Sequence, residues 1–217
     1  MSAGAWWAWP AALALYLVFR LWYDNWRGPL KPAEVEAFMA EAAEVAKAPA
    51  GGHTDRAVLR AFLEADDGRE FIMSNLVGLH PQAVPHPETG VATPALALMN
   101  RYASGFLPAL LRHGGHPMMA LRKVGGYVDS WNTPPDPGWH IVGAMRYRSR
   151  RDMMKLAFDP GLRQAHPFKT AAMATTFSFP TQVVVAFALG PRLWVALVLA
   201  LAAALTHLAS LIALLGR

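Results

Sequence analysis

The last 25 residues, Leu193 to Arg217, carry no charged side chain before the final arginine. A helix advances about 1.5 Å per residue, so about 20 apolar residues suffice to cross a hydrocarbon core about 30 Å thick. Lipid offers nothing to hydrogen-bond bare peptide groups, so such a run enters a bilayer only as a helix. A second apolar segment occupies residues 3–23. Trp6, Trp7 and Trp9 stand at one end of it, and Trp22 and Tyr23 at the other, with Trp26 just beyond. Indole and phenol rings favour the headgroup layer, where the ring is half dry and its polar atom wet. Arg20 lies near the inner end of the segment, within reach of the interface along its own apolar stem. The start of the chain, MSAGAWW, lacks the basic side chains of a cleaved signal peptide, so an uncleaved anchor is expected.

The expected organisation is a transmembrane helix over 3–23, a helical pair over 29–67, an α+β domain over 68–185 and a second transmembrane helix over 192–216. Arg20, Arg27, Lys31 and Arg192 flank the spans on the side of the central domain. Lys/Arg enrichment marks the cytoplasmic face, which predicts a protein of the bacterial inner (cytoplasmic) membrane with its central domain cytoplasmic. All 15 acidic residues and 17 of the 20 basic ones lie between the two segments, so the basic excess there is only two. No Lys/Arg run tracks a phosphate backbone, and nucleic acid is not an expected partner. Cysteine is absent, which removes disulfides, thiol nucleophiles and cysteine-held clusters together.

Local signals order the central part. Lys31-Pro32-Ala33-Glu34 opens a helix with proline in its first turn and an acid near its positive end. That helix is expected to reach about Lys47. Thr54-Asp55 caps a second helix carrying Val58, Leu59, Phe62 and Leu63. Phe71 to Val77 is a short apolar run suited to a strand. A proline-rich loop, residues 80–93, leads to a helix from about Pro94 to His113. Gly105 and Pro108 are expected to bend it, and Gly114-Gly115 to end it. Strands follow at Met118 to Val124 and Trp139 to Arg146. Ser149 caps a short helix to Phe158, Asp159-Pro160-Gly161 breaks it, and helical turns resume from Arg163 to Ala174. Thr175 to Val185 makes a last strand. The order strand, helix, strand, strand, helix, strand is the split βαβ order of a ferredoxin-like α+β sandwich, with a four-stranded antiparallel sheet.

Phe71-Ile-Met-Ser-Asn-Leu-Val77, Tyr102 ahead of Leu110-Leu-Arg-His-Gly-Gly115, Met145-Arg-Tyr-Arg-Ser-Arg150, and Asp159-Pro-Gly161 through His166-Pro-Phe-Lys-Thr-Ala171 resemble an uncharacterised bacterial branch of the dimeric α+β barrel superfamily. That branch is related to antibiotic-biosynthesis-monooxygenase-like domains. The resemblance covers about residues 68–180. It implies a ferredoxin-like fold whose sheet pairs with a second copy, and it implies no settled activity. Membrane anchors depart from the usual soluble members. A sheet covered by helices on one side also leaves its other face bare, which another sheet face can cover.

Candidate ligand-facing residues are Asn75, Tyr102, Trp131, Trp139 and His140, with Asn75, His140 and His166 as candidates for catalysis. Asn75 lies among apolar strand neighbours, where a buried amide either bonds nearby structure or points into a cavity. In related monooxygenase-like barrels a polar residue of this strand faces the pocket. Aromatic residues with one polar atom line small-molecule sites, but they fill cores more often. His113-Gly-Gly-His116 has poor spacing for a helical metal pair, and His113 suits a helix C-terminus without a metal. His53, His80 and His86 are expected to be solvated. No metal and no cofactor are expected, since nothing specifies a ligand set or an axial haem ligand. Arg146, Arg148, Arg150 and Arg151 read first as a solvated edge that discourages sheet aggregation. His207, with Thr206 and Ser210 within a turn, suits helix packing in the membrane.

These readings lead to a membrane-anchored α+β domain that pairs with its own copy and serves as an accessory or scaffold subunit of a membrane complex. One alternative is a cofactor-independent oxygenase or isomerase acting on a small apolar substrate, with Asn75 polarising it and His140 or His166 as base. Another is a non-catalytic binder of a hydrophobic ligand.

Overall fold

A computed structural model of the chain describes residues 5–46 and 54–215; Lys47, His53 and Arg217 lie outside the described residues. The elements run α1 (Ala8–Tyr23), α2 (Pro32–Ala46), α3 (Arg56–Glu64), β1 (Phe71–Leu79), β2 (Val84–Pro85), β3 (Ala92–Thr93), α4 (Ala95–Arg112), β4 (His116–Arg122), β5 (Ile141–Tyr147), α5 (Arg150–Ala157), α6 (Pro160–Ala172), β6 (Met173–Thr181) and α7 (Pro191–Leu215). They form two compact units. One joins the two ends of the chain, up to Trp26 and from Val183, and the other is an α+β body over Arg27–Gln182.

In the α+β unit the main sheet has the order β4-β5-β1-β6, and every neighbouring pair is antiparallel. Period-two alternation sorts its side chains. Phe71, Met73 and Val77 stand opposite Tyr147, Met145 and Ile141, and this face meets the helices. Leu79, Ala95, Leu98, Phe168 and Ala172 form one buried cluster under α4 and α6, and Phe106, Ala109, Leu110 and Leu156 form another. The opposite face presents Leu76, Leu121, Val142, Phe177 and Phe179. Of these, Leu121, Phe177 and Phe179 are exposed.

Capping chemistry sets the helix starts. Asp55 accepts from the backbone N–H groups of Ala57 and Val58, Ser149 from that of Asp152, and Asp159 from those of Gly161 and Leu162. Pro160 then occupies the first turn of α6, where its missing N–H costs nothing. At the end of α4, Gly114 takes a positive φ of 72° and the Gly115 N–H returns to the Leu110 carbonyl at 2.9 Å. α4 continues as one helix through Gly105 and Pro108. Gly105 instead serves packing, because a β-carbon there would stand 2.8 Å from the Ala165 β-carbon on α6.

The arginine set is not a solvated edge. Arg146 and Arg151 are buried, at 2% and 3% exposure. Arg146 binds the Glu70 carboxylate and the Gly114 carbonyl, and Arg148 grips Asp152 through two bonds of 2.7 and 2.8 Å. Arg150 donates to the Phe62 carbonyl and lies over the Phe62 ring. Arg151 takes both oxygens of Glu34 at 2.8 and 2.9 Å and donates to the carbonyls of Gly28 and Pro29. Together with the cluster of Val35, Met39, Leu63 and Met154, the bonds of Arg150 and Arg151 fasten α3 and α2 to α5.

In the other unit, α1 and α7 pack together. The Trp6 and His207 ring centroids are 4.3 Å apart, Trp9 Nε1 donates to His207 Nδ1 at 3.4 Å, and the Ala5 N–H donates to Ser210 Oγ at 2.9 Å. At the other end Asp24 joins Arg20 and Arg192. α7 has 25 residues and is long and apolar enough to cross a membrane. α1 has 16 residues, about 24 Å of rise, and does not reach that length. The expected pair of spans is therefore met at the carboxyl end alone, because residues 5–7 lie ahead of α1 rather than in it.

Candidate functional site

The sequence-derived candidates do not form one cluster. Asn75, at the centre of β1, faces Gly143 on one side and Ser178 on the other. Its amide donates to the carbonyls of Met73 (2.9 Å) and Gly143 (3.3 Å), and its oxygen accepts from Ser178 Oγ at 2.7 Å. His140 Nδ1 accepts the Leu79 N–H at 3.1 Å, which ties the start of β5 to the end of β1. Trp139 is buried, donates to the Tyr127 hydroxyl at 2.8 Å, and meets Phe177 edge-on at 5.0 Å. It therefore belongs to the open side of the sheet. Trp131 is 84% exposed. His166 is half-buried on α6.

The remaining histidines have local roles. His113 caps α4 and meets the Asp159 carboxylate at 3.3 Å, beside Arg112. His116 Nδ1 lies 2.9 Å from the Pro117 carbonyl. His86 is half-buried against Phe168, and its Nδ1 accepts the N–H groups of Glu88 and Thr89. His80 is exposed. Among the described residues, no three His, Asp or Glu side chains converge to hold a metal ion.

Two regions offer surface for recognition. The first is the open sheet face, where Leu76, Leu121, Val142, Tyr127 and Trp139 border a shallow groove of about 370 Å³. The Arg122–Val128 segment forms its rim, and Lys123 is tied there to Asp136.

The second lies on the helix side, where the two hydrophobic clusters are separate and Tyr102 touches both. Tyr102 stacks on Phe106, and the Lys169 ammonium stands 5.6 Å from the Tyr102 ring centroid. Tyr147 stacks on Phe71 at 5.2 Å. Burial pushes the Tyr102 and Tyr147 hydroxyls well above the ordinary tyrosine range, with Tyr147 adding to the effect on Tyr102. Burial likewise lowers Lys169 from the ordinary lysine range. Sequence reasoning passed over Lys169 and Tyr147. A signal for Lys169 existed: it interrupts the apolar stripe Ala165, Phe168, Ala172 that buries α6.

No protein-family profile matches the chain, and no curated protein matches it. Two solved structures resemble it. One is the RPA0582 protein of unknown function from Rhodopseudomonas palustris, at 22% identity and a TM-score of 0.51, covering 61% of this chain and 96% of that one. The other is methylated RPA0582, at 20% identity and the same TM-score, covering 62% and 96%. At these identities the likeness is one of fold: a mixed α+β unit shared with an uncharacterised protein.

Proposed function

We propose that this protein is a membrane-held, ferredoxin-like α+β domain that pairs with a second copy through its open sheet face and serves as an accessory subunit of a membrane complex. The carrying observation is the apolar open face, where Leu121, Phe177 and Phe179 stand exposed beside Leu76 and Val142. Apolar surface of this kind is costly in water, and a self-complementary sheet face covers it symmetrically. The strand order β4-β5-β1-β6 supports the ferredoxin-like reading and, with the motif resemblance, the kinship with dimeric α+β barrels. Anchoring rests on α7, and we take α1 to share the same bilayer, supported by the Trp9 bond to His207 and by the bond from Ala5, just ahead of α1, to Ser210. The basic flank of Arg20, Arg27, Lys31 and Arg192 favours a cytoplasmic α+β unit at a bacterial inner membrane.

The test is the mass of the detergent-extracted full chain, by light scattering and native mass spectrometry. A homodimer that L121E/F177E converts to monomer is expected, with further stoichiometric subunits after gentle extraction from native membranes. A wild-type monomer across accessible concentrations rejects the pairing, and a bare homodimer from native membranes rejects the accessory role.

The enzyme and ligand-binder readings draw support from the helix side rather than from the residues first named. Asn75 spends its amide on Met73, Gly143 and Ser178, and His140 spends Nδ1 on the Leu79 N–H. Tyr102 and Lys169 make no such bonds among the described residues.

A further inference from the structure

We propose that residues 183–189, which lead into α7, lie in the headgroup layer of the bilayer as an apolar strap that binds lipid. This goes beyond the anchoring proposed above and rests on it. Between Lys169 and Arg217 the one Lys, Arg, Asp or Glu side chain is Arg192. Val183, Val184, Val185, Phe187 and Leu189 are all exposed, Phe187 wholly so. Large apolar side chains gathered in one exposed stretch mark a contact with lipid or protein.

The backbone decides the depth. Residues 183–189 form neither helix nor strand, and their N–H and C=O groups bond no other described residue. Unspent peptide groups do not enter hydrocarbon, which has nothing to pair with them. The side chains on the same backbone disfavour bulk water. The boundary between headgroups and acyl chains meets both demands, since water and ester groups pair the backbone there while the chain ends take up the apolar side chains.

Neighbours in the same unit fix the level. Arg192, in the first turn of α7, donates to Asp24 at 2.7 Å and stands over the Tyr23 ring at 4.8 Å. Trp26 donates to the Arg20 carbonyl at 3.0 Å, and Trp22, Trp26 and Trp194 are exposed. A belt of indoles and paired charges at the start of an apolar helix belongs at a membrane surface. Phe187 stands shortly ahead of Arg192, so even a fully extended chain keeps it within about 17 Å of that belt. Arg192 already has its acid in Asp24, which makes the attraction of the strap for lipid apolar rather than ionic.

The experiment uses the full chain reconstituted in phosphatidylcholine vesicles. Cysteine is absent, so V184C, F187C, L201C and E88C each carry a single nitrobenzoxadiazole probe. Val184 and Phe187 are exposed, so their replacement removes no packing; Leu201 lies near the middle of α7, and Glu88 is an exposed reference between β2 and β3. Lipids bearing a nitroxide on the headgroup or deep in the acyl chain report depth, and aqueous iodide reports exposure. The V184C and F187C probes are expected to be quenched severalfold more by the shallow nitroxide than by the deep one. They are also expected to resist iodide severalfold better than the E88C probe, while the L201C probe answers chiefly to the deep nitroxide. Iodide access at V184C and F187C equal to that at E88C, with L201C still deep, overturns the strap and leaves the anchor standing. An L201C probe that neither lipid quenches removes anchor and strap together. Protection from iodide without lipid quenching assigns the cover to protein, a second copy included, and overturns the strap. So does lipid quenching that appears only when phosphatidylglycerol is added, since the contact is then ionic. Adding V184D and F187D to an L189C chain is expected to raise iodide access at its probe severalfold, and unchanged protection there counts against the strap.

Discussion

At the residue scale, the most consequential side chain outside the candidate sites is Arg151. It is 3% exposed and holds both oxygens of Glu34 together with the carbonyls of Gly28 and Pro29. Removing one partner of such a pair strands the other, so Arg151→Ala is expected to destabilise the α+β unit by about 3 kcal/mol, read from chemical unfolding. The pH dependence has a definite sign. The Arg151 guanidinium, aided by the Lys31 N–H, holds the Glu34 carboxyl down at about 2. A carboxyl lowered on folding stabilises above its unfolded value and loses that stabilisation on protonation. Stability from this pair is therefore full above about pH 5 and declines towards about pH 2. Glu34→Gln is expected to flatten that part of the profile, measured as unfolding midpoint against pH. The arginine run itself was plain in the sequence. Its burial was not, because its carboxylate partners Glu34 and Glu70 lie far away along the chain.

At the element scale, helix beginnings were the most legible feature. Asp55, Ser149 and Asp159 act through their own following N–H groups, so a short window contains the whole interaction. Asp159→Ala is expected to cost about 1 kcal/mol, measured in the same unfolding assay. Glycine roles were less legible. Gly105 suggested a bend when read within its helix, but its neighbour is Ala165 on another one. Gly105→Val should force α4 and α6 apart, at about 1–3 kcal/mol, a cost to be read by thermal unfolding. Strand existence was readable from apolar runs, while strand ends moved by a few residues. The last strand stops at Thr181, where the Thr181 hydroxyl bonds the Ile72 carbonyl, short of the Val185 expected. Lys169 shows the same limit from the other side. Its place in an apolar stripe is a local fact, yet its lack of a partner depends on α4 and β5.

At the scale of the whole molecule, the proposed membrane anchoring turns on α7, which is long and apolar enough to cross a membrane. Alkaline carbonate is expected to leave the full chain in vesicles, and L201R, which puts a charge into the middle of α7, is expected to shift part of it to the soluble fraction. A mid-helix arginine costs about 3 kcal/mol on insertion, which sets the scale of that shift. Extraction of the wild-type chain by carbonate would remove the anchoring assignment. What the sequence by itself determined was whatever neighbours along the chain decide: a carboxyl-terminal helix uncharged beyond Arg192, the capped helix starts, the alternation that makes four strands, and an α+β class. Tertiary structure alone decided that four arginines are internal fasteners, that α1 is a short helix packed on α7, that the open face gathers residues from β1, β4, β5 and β6, and that Lys169 meets Tyr102 without an acid beside it. The reason is physical. Caps and periodicity act over a few residues, whereas charge pairing and exposure are set by groups that only folding brings together.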